Sequence, residues 1–154
     1  MIDERKFNQY GFPREEADIL GITIHESEPD GTTAQEIFDY LNTESKENIA
    51  YHYICDDVQI LQILPDNWGV YSVSSNKDWS SMHTISIEIV GSISNSKYQE
   101  AQDNAVGLIR TLQETYGISD DMIFLHNDFD SRAFCPKTIL DRYGSAKRFA
   151  IEEL

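Results

Sequence analysis

The sequence predicts an α/β fold in which a central mixed β-sheet is flanked by helices. Short runs of alternating apolar residues, which are typical of strands, occur at 20–25, 84–90 and 122–126. Segments with apolar residues at helical spacing separate these runs, and such alternation favours a sheet covered by helices. With 154 residues and 40% hydrophobic content, the chain has the size of a single domain with a sizeable core.

Composition excludes several classes of partner. The chain has 27 acidic against 12 basic residues, and its net charge of -15 argues against binding nucleic acid or an anionic membrane. No apolar run approaches the length of a membrane span, and the N-terminal MIDERKF is charged where a signal peptide would be apolar. Only two cysteines occur, Cys55 and Cys135, so a disulfide framework is not expected.

The first half of the chain gives a strand, a helix and a hairpin. Residues 20–25 alternate as in a half-buried strand that ends at His25. Thr33 stands three residues before Glu36, which is the spacing of a capping box and predicts the start of a short helix. The runs AYHYIC and VQILQIL predict a hairpin over 50–64. Residues 66–83 show little periodicity and predict a long surface loop.

The second half continues the alternation of strands and helices. In residues 84–90 the isoleucines face the core and Glu88 faces the other way. Apolar residues at helical spacing predict a helix over 96–116, which Gly117 ends, and residues 122–126 form a strand ending at His126. A loop through Cys135 then leads to a short helix over 138–143 and a helical tail capped by Ser145.

Three soft-metal ligands, far apart in sequence, stand where a strand meets a loop: His25, His126 and Cys135. Two imidazoles and a thiolate make a zinc site whose fourth position is open to water, which is typical of catalysis. Each residue alone has a simpler interpretation. A lone histidine at a strand end is more often hydrogen-bonded or exposed, and a cysteine before proline is in some proteins merely a small buried hydrophobe.

The order of motifs carries a resemblance. IxIHxS, AYHYICDD followed by QILP, ISIEIVG, a long helix ending in YGI, and LHNDFDSRAFCP occur in succession. This chain resembles the zinc-dependent N-acetylmuramoyl-L-alanine amidases of the amidase-2 type, which include phage endolysins and share their fold with peptidoglycan recognition proteins. The resemblance covers roughly residues 20–140. It implies one catalytic domain over 1–154, with a core at about 20–143 and no wall-binding domain in this chain.

The resemblance also implies roles for individual residues. His25, His126 and Cys135 would hold Zn²⁺, and the substrate would be the amide between N-acetylmuramic acid and L-alanine in bacterial peptidoglycan. Glu88 matches the strand glutamate of the family and is expected to act as general base. Tyr51 matches a tyrosine of many phage members and is expected to orient the water or donate a hydrogen bond.

The chain departs from the family pattern at two places. Many relatives have a lysine where this chain has Ala133, so Arg132 is the nearest cation expected to stabilise the oxyanion. The usual Trp-His-Ala-Gly stretch is replaced by WGVYS over 68–72, so no histidine of that stretch is expected to help bind substrate. His52, next to Tyr51 on the predicted strand, is expected to be structural.

Two other functions remain open on sequence grounds. One is a recognition module that binds muropeptide without cutting it, although such modules often lack the cysteine ligand that this chain keeps. The other is a cysteine hydrolase in which His126 activates Cys135, because cysteine and histidine also form a nucleophile and base pair. That second alternative explains neither His25 nor Glu88.

The charge bears on how the protein would reach a cell wall. A domain at -15 gains nothing from attraction to anionic wall polymers. We therefore expect a separate cell-wall-binding domain outside this chain, or a trimmed catalytic domain, acting as a monomer. Without a signal peptide, the protein is expected to stay in the cytoplasm until lysis, when a holin or external addition brings it to the wall.

Overall fold

The computed structural model describes residues 1–154. The strands are β1 (Gly11–Pro13), β2 (Gly21–Glu26), β3 (Tyr53–Cys55), β4 (Ile60–Gln62), β5 (Trp68–Val70), β6 (Thr84–Ile89) and β7 (Ile123–Leu125). The helices are α1 (Phe7–Tyr10), α2 (Ala34–Thr43), α3 (Trp79–His83), α4 (Asn95–Tyr116), α5 (His126–Phe129), α6 (Lys137–Tyr143) and α7 (Ala146–Glu153).

The main sheet is mixed and has five strands in the order β4-β3-β6-β2-β7. β2 lies parallel to both β6 and β7, and β3 lies parallel to β6, whereas β4 is antiparallel to β3. A separate two-stranded sheet pairs β1 with β5. The predicted class, a mixed sheet flanked by helices, is confirmed.

One face of the main sheet packs against α4. The isoleucines of β2 and β6 and the apolar stripe of α4 share one buried cluster of 19 residues. The helix ends at Gly117, whose φ of 68° is a left-handed conformation that glycine adopts without strain. Neither α4 nor any other helix combines the length and apolarity that crossing a membrane requires.

The opposite face of the sheet is also covered, which corrects the half-buried strand expected over 20–25. A second cluster of ten buried residues, from α2 and the N-terminal segment among others, lies there. Polar strand residues on this face find partners within the protein: the Thr23 hydroxyl donates to that of Thr84 at 2.8 Å, and Ser86 donates to Ser72 at 2.7 Å. Buried hydroxyls without such bonds would destabilise the fold.

The predicted capping box of α2 is present. The Thr33 hydroxyl accepts the Glu36 N–H at 3.2 Å, and the Glu36 carboxylate accepts the Thr33 N–H at 2.9 Å. A second carboxylate at this end is Asp56 in the turn of the β3–β4 hairpin, which accepts the Ala34 N–H at 2.9 Å. The hairpin turn and the start of α2 are therefore held together by hydrogen bonds to helix N–H groups that lack intrahelical partners.

Residues 66–83 are not the long surface loop expected from the sequence. They contain β5 and α3, and α3 begins at Asp78, whose side chain accepts the Ser81 N–H at 2.9 Å. The pairing that forms β5 is with β1, far away in sequence, and it has no local signal. A Cβ at Gly11 would lie 1.7 Å from the Gly69 carbonyl oxygen, so the close approach of these strands requires glycine there.

Arg14 joins this region to the main sheet. Its guanidinium donates to the main-chain carbonyl oxygens of Asp66 (2.9 and 3.1 Å), Met82 (3.2 Å) and Thr84 (2.9 Å). The side chain is 9% exposed, and this burial lowers the pKa of Arg14 to about 10, so it stays charged at neutral pH. One side chain thus satisfies carbonyls at the end of α3, the start of β6 and the turn before β5.

We predict that Arg14→Met destabilises the fold by about 3 kcal/mol, because a thioether leaves several buried carbonyls without a donor. Urea unfolding measures this change. Arg5→Met is the control, since Arg5 is 90% exposed and pairs only with Asp3 on the surface. Equal urea midpoints for the two variants would contradict this prediction, because they would mean that water replaces the Arg14 hydrogen bonds with no loss of stability.

Candidate metal site

The candidate site lies at the carboxyl ends of the parallel strands. His25 in β2 is in register with Glu88 in β6, so both side chains point to the same face of the sheet. Ile24 is in register with Leu125 at the end of β7, and His126 follows as the first residue of α5. Parallel strands thus bring two ligands and a carboxylate to one edge.

The three predicted ligands come together. One donor atom from each of His25, His126 and Cys135 lies within 4.8 Å of the others, and the two imidazole rings are 4.9 Å apart at 55°. His25 is 1% exposed, and its Nε2 atom has no hydrogen-bond partner. A buried ring nitrogen without a partner, beside a second imidazole and a thiol, fits a ligand of a divalent transition metal.

The loop after α5 is held in a shape that presents Cys135. The Asn127 side chain donates to the Ala133 carbonyl at 2.7 Å, and the Asn127 N–H donates to the Cys135 carbonyl at 3.0 Å. The Glu26 N–H lies 3.4 Å from the Cys135 sulfur and donates to it. The two Asn127 bonds fix the shape of the loop, and the Glu26 bond holds the thiol at the end of β2, next to His25 in sequence.

Glu26 is a part of the site that the sequence analysis missed. Its carboxylate accepts the N–H and the hydroxyl of Thr138, both at 2.7 Å, and the hydroxyl of Tyr98 at 3.1 Å. These bonds tie the first turn of α6 to the end of β2 and so help to fix the segment that carries Cys135. A strand-end glutamate has no local pattern that indicates this role.

Burial sets the protonation of the ligands. It lowers the pKa of His25 well below its usual value, with His126 acting in the same direction, so the imidazole is neutral and able to bind a metal. Burial raises the pKa of the Cys135 thiol to about 12, although the Glu26 N–H opposes this. Metal binding at neutral pH therefore has to release the thiol proton.

Glu88 is buried beside the ligands. Its side chain is 4% exposed, and its Oε2 atom has no hydrogen-bond partner. Burial, followed by repulsion from Glu26, raises the pKa of Glu88 well above its ordinary value, while the Tyr51 hydroxyl lowers it. The Tyr51 ring packs against the predicted ligand His25, with the two ring centroids 5.1 Å apart. The structure thus brings Glu88 and Tyr51 to the predicted ligands.

Arg132 is placed differently from the other predicted site residues. Its side chain is 89% exposed and forms an ion pair with Asp130 at 2.9 Å on the loop before Cys135. The structure therefore gives Arg132 a solvent-facing partner and no contact with the clustered ligands.

A groove of about 270 Å³ adjoins the ligands on the side of Cys135. Its lining includes Ile93 and Phe134, which are 90% and 61% exposed, together with Glu28 and Lys137. A larger hollow of about 780 Å³ lies between α7 and the segment around β7, but none of the predicted ligands lines it. Of these two, only the smaller groove is lined by a predicted ligand, Cys135.

Comparisons with known proteins agree with the fold. A curated relative, N-acetylmuramoyl-L-alanine amidase CwlL of Bacillus licheniformis, is 28% identical over 85% of this chain, which spans 40% of the length of that relative. The structure of PlyL has the same fold, with a TM-score of 0.84 at 22% identity over 97% of this chain and 92% of that chain. A mutant endolysin from Bacillus subtilis has a TM-score of 0.80 at 26% identity over 96% and 93%.

A family profile covers most of the chain. The profile described as N-acetylmuramoyl-L-alanine amidase matches residues 15–138. That range begins one residue after Arg14 and includes His25, Glu88, His126 and Cys135. The match, the fold and the cluster of ligands lead to one conclusion: the chain belongs to the N-acetylmuramoyl-L-alanine amidase family.

Proposed function

We propose that this chain hydrolyses the amide between N-acetylmuramic acid and L-alanine in bacterial peptidoglycan, with zinc as its metal, in the manner of an endolysin. The observation that carries the proposal is the cluster of His25, His126 and Cys135 with the buried Glu88 in the adjacent strand. A metal site with three protein ligands keeps a position for water or substrate, and a carboxylate beside it can move protons.

His25, His126 and Cys135 would hold the zinc ion. When bound, zinc supplies Lewis-acid chemistry, because it lowers the pKa of a water molecule toward neutrality and polarises an amide carbonyl. The main-chain N–H of Glu26 at the Cys135 sulfur would stabilise the thiolate that zinc requires. The hydrogen bonds of Asn127 and Glu26 would keep the thiol in place before the metal arrives.

Glu88 would act as the proton carrier. A carboxylate with a raised pKa is a stronger base, so it takes a proton from the attacking water and holds it long enough to deliver it to the departing amine of L-alanine. Tyr51 would donate a hydrogen bond from its hydroxyl beside Glu88, which orients the water or the substrate carbonyl. Arg132 remains a proposal as an oxyanion donor and would first have to leave Asp130.

The groove beside Cys135 would hold one arm of the substrate. Phe134 and Ile93 give it apolar, exposed walls, and the Lys137 ammonium lies 5.7 Å from the centre of the Phe134 ring. Apolar side chains that stay exposed to water gain no free energy from burial. Where such side chains lie next to a candidate site, they are typical of a surface that binds a ligand. A peptide with apolar side chains fits the exposed apolar part of this lining.

A cysteine hydrolase is disfavoured by the state of the thiol. A nucleophilic cysteine needs a lowered pKa, whereas burial raises that of Cys135 to about 12. The orphaned Nε2 of His25 and the buried Glu88 also have no task in that mechanism. A module that binds muropeptide without cutting it is left as an outcome of the experiment.

Digestion of purified peptidoglycan tests the proposal. We expect new peptide amino termini without new reducing sugar ends, loss of this activity with a chelator, and its return with zinc. Activity that ignores the chelator would indicate the cysteine hydrolase. Bound zinc and retained wall affinity without any release of peptide would indicate the recognition module.

We predict that Cys135→Ser weakens zinc binding by more than the roughly 10- to 100-fold that loss of an outer partner costs, because a hydroxyl is a far poorer zinc ligand. Competition against a chromophoric chelator measures the affinity. Cys55→Ser is the matched control, since Cys55 is the other free thiol and belongs to the core under α4. Equal affinities would remove Cys135 from the metal site.

We predict that Glu88→Gln lowers kcat by about 10²- to 10⁴-fold, because the amide cannot carry the proton. Zinc content should stay at the wild-type level, which separates proton transfer from metal loss. Glu114→Gln on the exposed side of α4 serves as the control for removing one negative charge. A turnover of Glu88→Gln near that of the control would exclude Glu88 from the mechanism.

We predict that Phe134→Ala raises KM roughly tenfold and changes kcat little, because it removes apolar contact with the bound substrate. Steady-state kinetics on a soluble muropeptide measures both constants. Val58→Ala in the hairpin turn is the control, since Val58 is an exposed apolar residue at 81% that does not line the groove. An unchanged KM would mean that the substrate lies elsewhere.

A further inference from the structure

His52 is a fully buried histidine outside the metal cluster, and its ring takes part in the pairing of the main sheet. Its Nδ1 atom accepts the main-chain N–H of Ser86 at 2.8 Å, and its own main-chain N–H donates to the Ser86 carbonyl at 2.9 Å. In an ordinary parallel ladder, a main-chain carbonyl would accept the Ser86 N–H. Here a side-chain nitrogen takes that place, just before β3 begins.

The other ring nitrogen fixes the tautomer. Nε2 lies 2.7 Å from the Trp68 carbonyl oxygen in β5, and because Nδ1 is an acceptor, the proton of the neutral ring sits on Nε2. The Arg14 guanidinium is 3.3 Å from Nε2 and, as a second donor, cannot bond to it. Burial and this positive charge lower the pKa of His52 to about 3, so the ring stays neutral.

The main chain on both sides of Tyr51 is held by further hydrogen bonds. The His52 carbonyl accepts the Ile63 N–H at 2.8 Å, and the Ala50 N–H donates to the Tyr71 carbonyl at 2.9 Å. Tyr51 is held between these anchors, and its ring packs against His25. On the other strand, Glu88 follows Ser86 by two residues and points to the same face.

We propose that His52 is a positioning residue for the amidase reaction, whose ring sets Tyr51 and Glu88 in register through its bond to Ser86. This inference rests on the proposed function. The bond of the His52 ring to Ser86 fixes the strand that carries Glu88. The main-chain hydrogen bonds of His52 fix the preceding residue, Tyr51. Its bond to Trp68 fastens the small β1–β5 sheet and serves the fold rather than the reaction.

Two substitutions separate these bonds. In His52→Asn the amide oxygen can stand where Nδ1 accepts from Ser86, whereas in His52→Gln the amide nitrogen can reach the Trp68 carbonyl. Each variant keeps one bond and loses the other, so both should lower the melting temperature by similar amounts. We expect His52→Gln to lower kcat about a hundredfold with KM little changed, because a catalytic group is displaced. We expect His52→Asn, which keeps the bond to Ser86, to have a kcat much closer to that of the wild type.

A double-mutant cycle with Tyr51→Phe supplies a readout that a merely structural role would not move. If His52 acts through Tyr51, the effect of His52→Gln on kcat shrinks to less than about threefold in the Tyr51→Phe background. An effect of His52→Gln that stays undiminished both in the Tyr51→Phe background and in the Glu88→Gln background would overturn the proposal. Equal kcat losses for the asparagine and glutamine variants would also overturn it.

An activity-independent measurement keeps this test separate from that of the proposed function. In the metal-free protein, NMR contacts between the Tyr51 and His25 rings should persist in His52→Asn and weaken in His52→Gln. If the wild type releases no peptide from peptidoglycan, the proposed function fails. Independently of that result, persistence of the NMR contacts in both variants would reject the positioning role. Loss in the glutamine variant alone would support it.

Discussion

The register between β2 and β6 is the constraint on which the site depends. Side chains directly across two parallel strands point to the same face, so the pairing of His25 with Glu88 fixes a ligand and a carboxylate side by side. β7 adds His126 at the same level. A slip of one residue in β6 would turn Glu88 toward α4 and bring an isoleucine to the ligands. The isoleucines packed under α4 prevent this slip, so the core determines the site geometry.

The candidate site contains polar groups whose burial costs free energy. Glu88 and His25 each have a buried polar atom without a partner, and such atoms cost free energy in a folded protein. By contrast, the buried Arg14 donates to several carbonyl oxygens, and both ring nitrogens of His52 have partners in Ser86 and Trp68. This contrast is typical of functional sites, where local stability is given up for reactivity and restored by the surrounding structure. A cation bound at these residues would stabilise the folded state by an amount that grows with the logarithm of its concentration relative to its Kd.

Local patterns were enough to predict most of the regular elements and the candidate metal ligands. Alternation located β2, β6 and β7, the Thr33–Glu36 spacing located α2, and the motif order singled out His25, His126 and Cys135, whose donor atoms lie within 4.8 Å of one another in the structure. The errors fall where the structure is non-local. β5 is three residues long and exists because β1 pairs with it, and the roles of Arg14 and Glu26 rest on contacts with distant backbone. The position of Arg132 beside Asp130 depends on loop geometry, which residue type alone does not determine.

The placement of β2 in the sheet also has a consequence for how the protein is made. β2 lies between β6 and β7, which begin at Thr84 and Ile123, so it is synthesised long before either neighbour. Pairings between such distant segments form slowly, and the apolar strand stays exposed meanwhile, which favours assistance from chaperones. Cys135 comes later still. A nascent chain therefore cannot bring the three candidate ligands together until Cys135 has left the ribosome, after every strand of the sheet has been made.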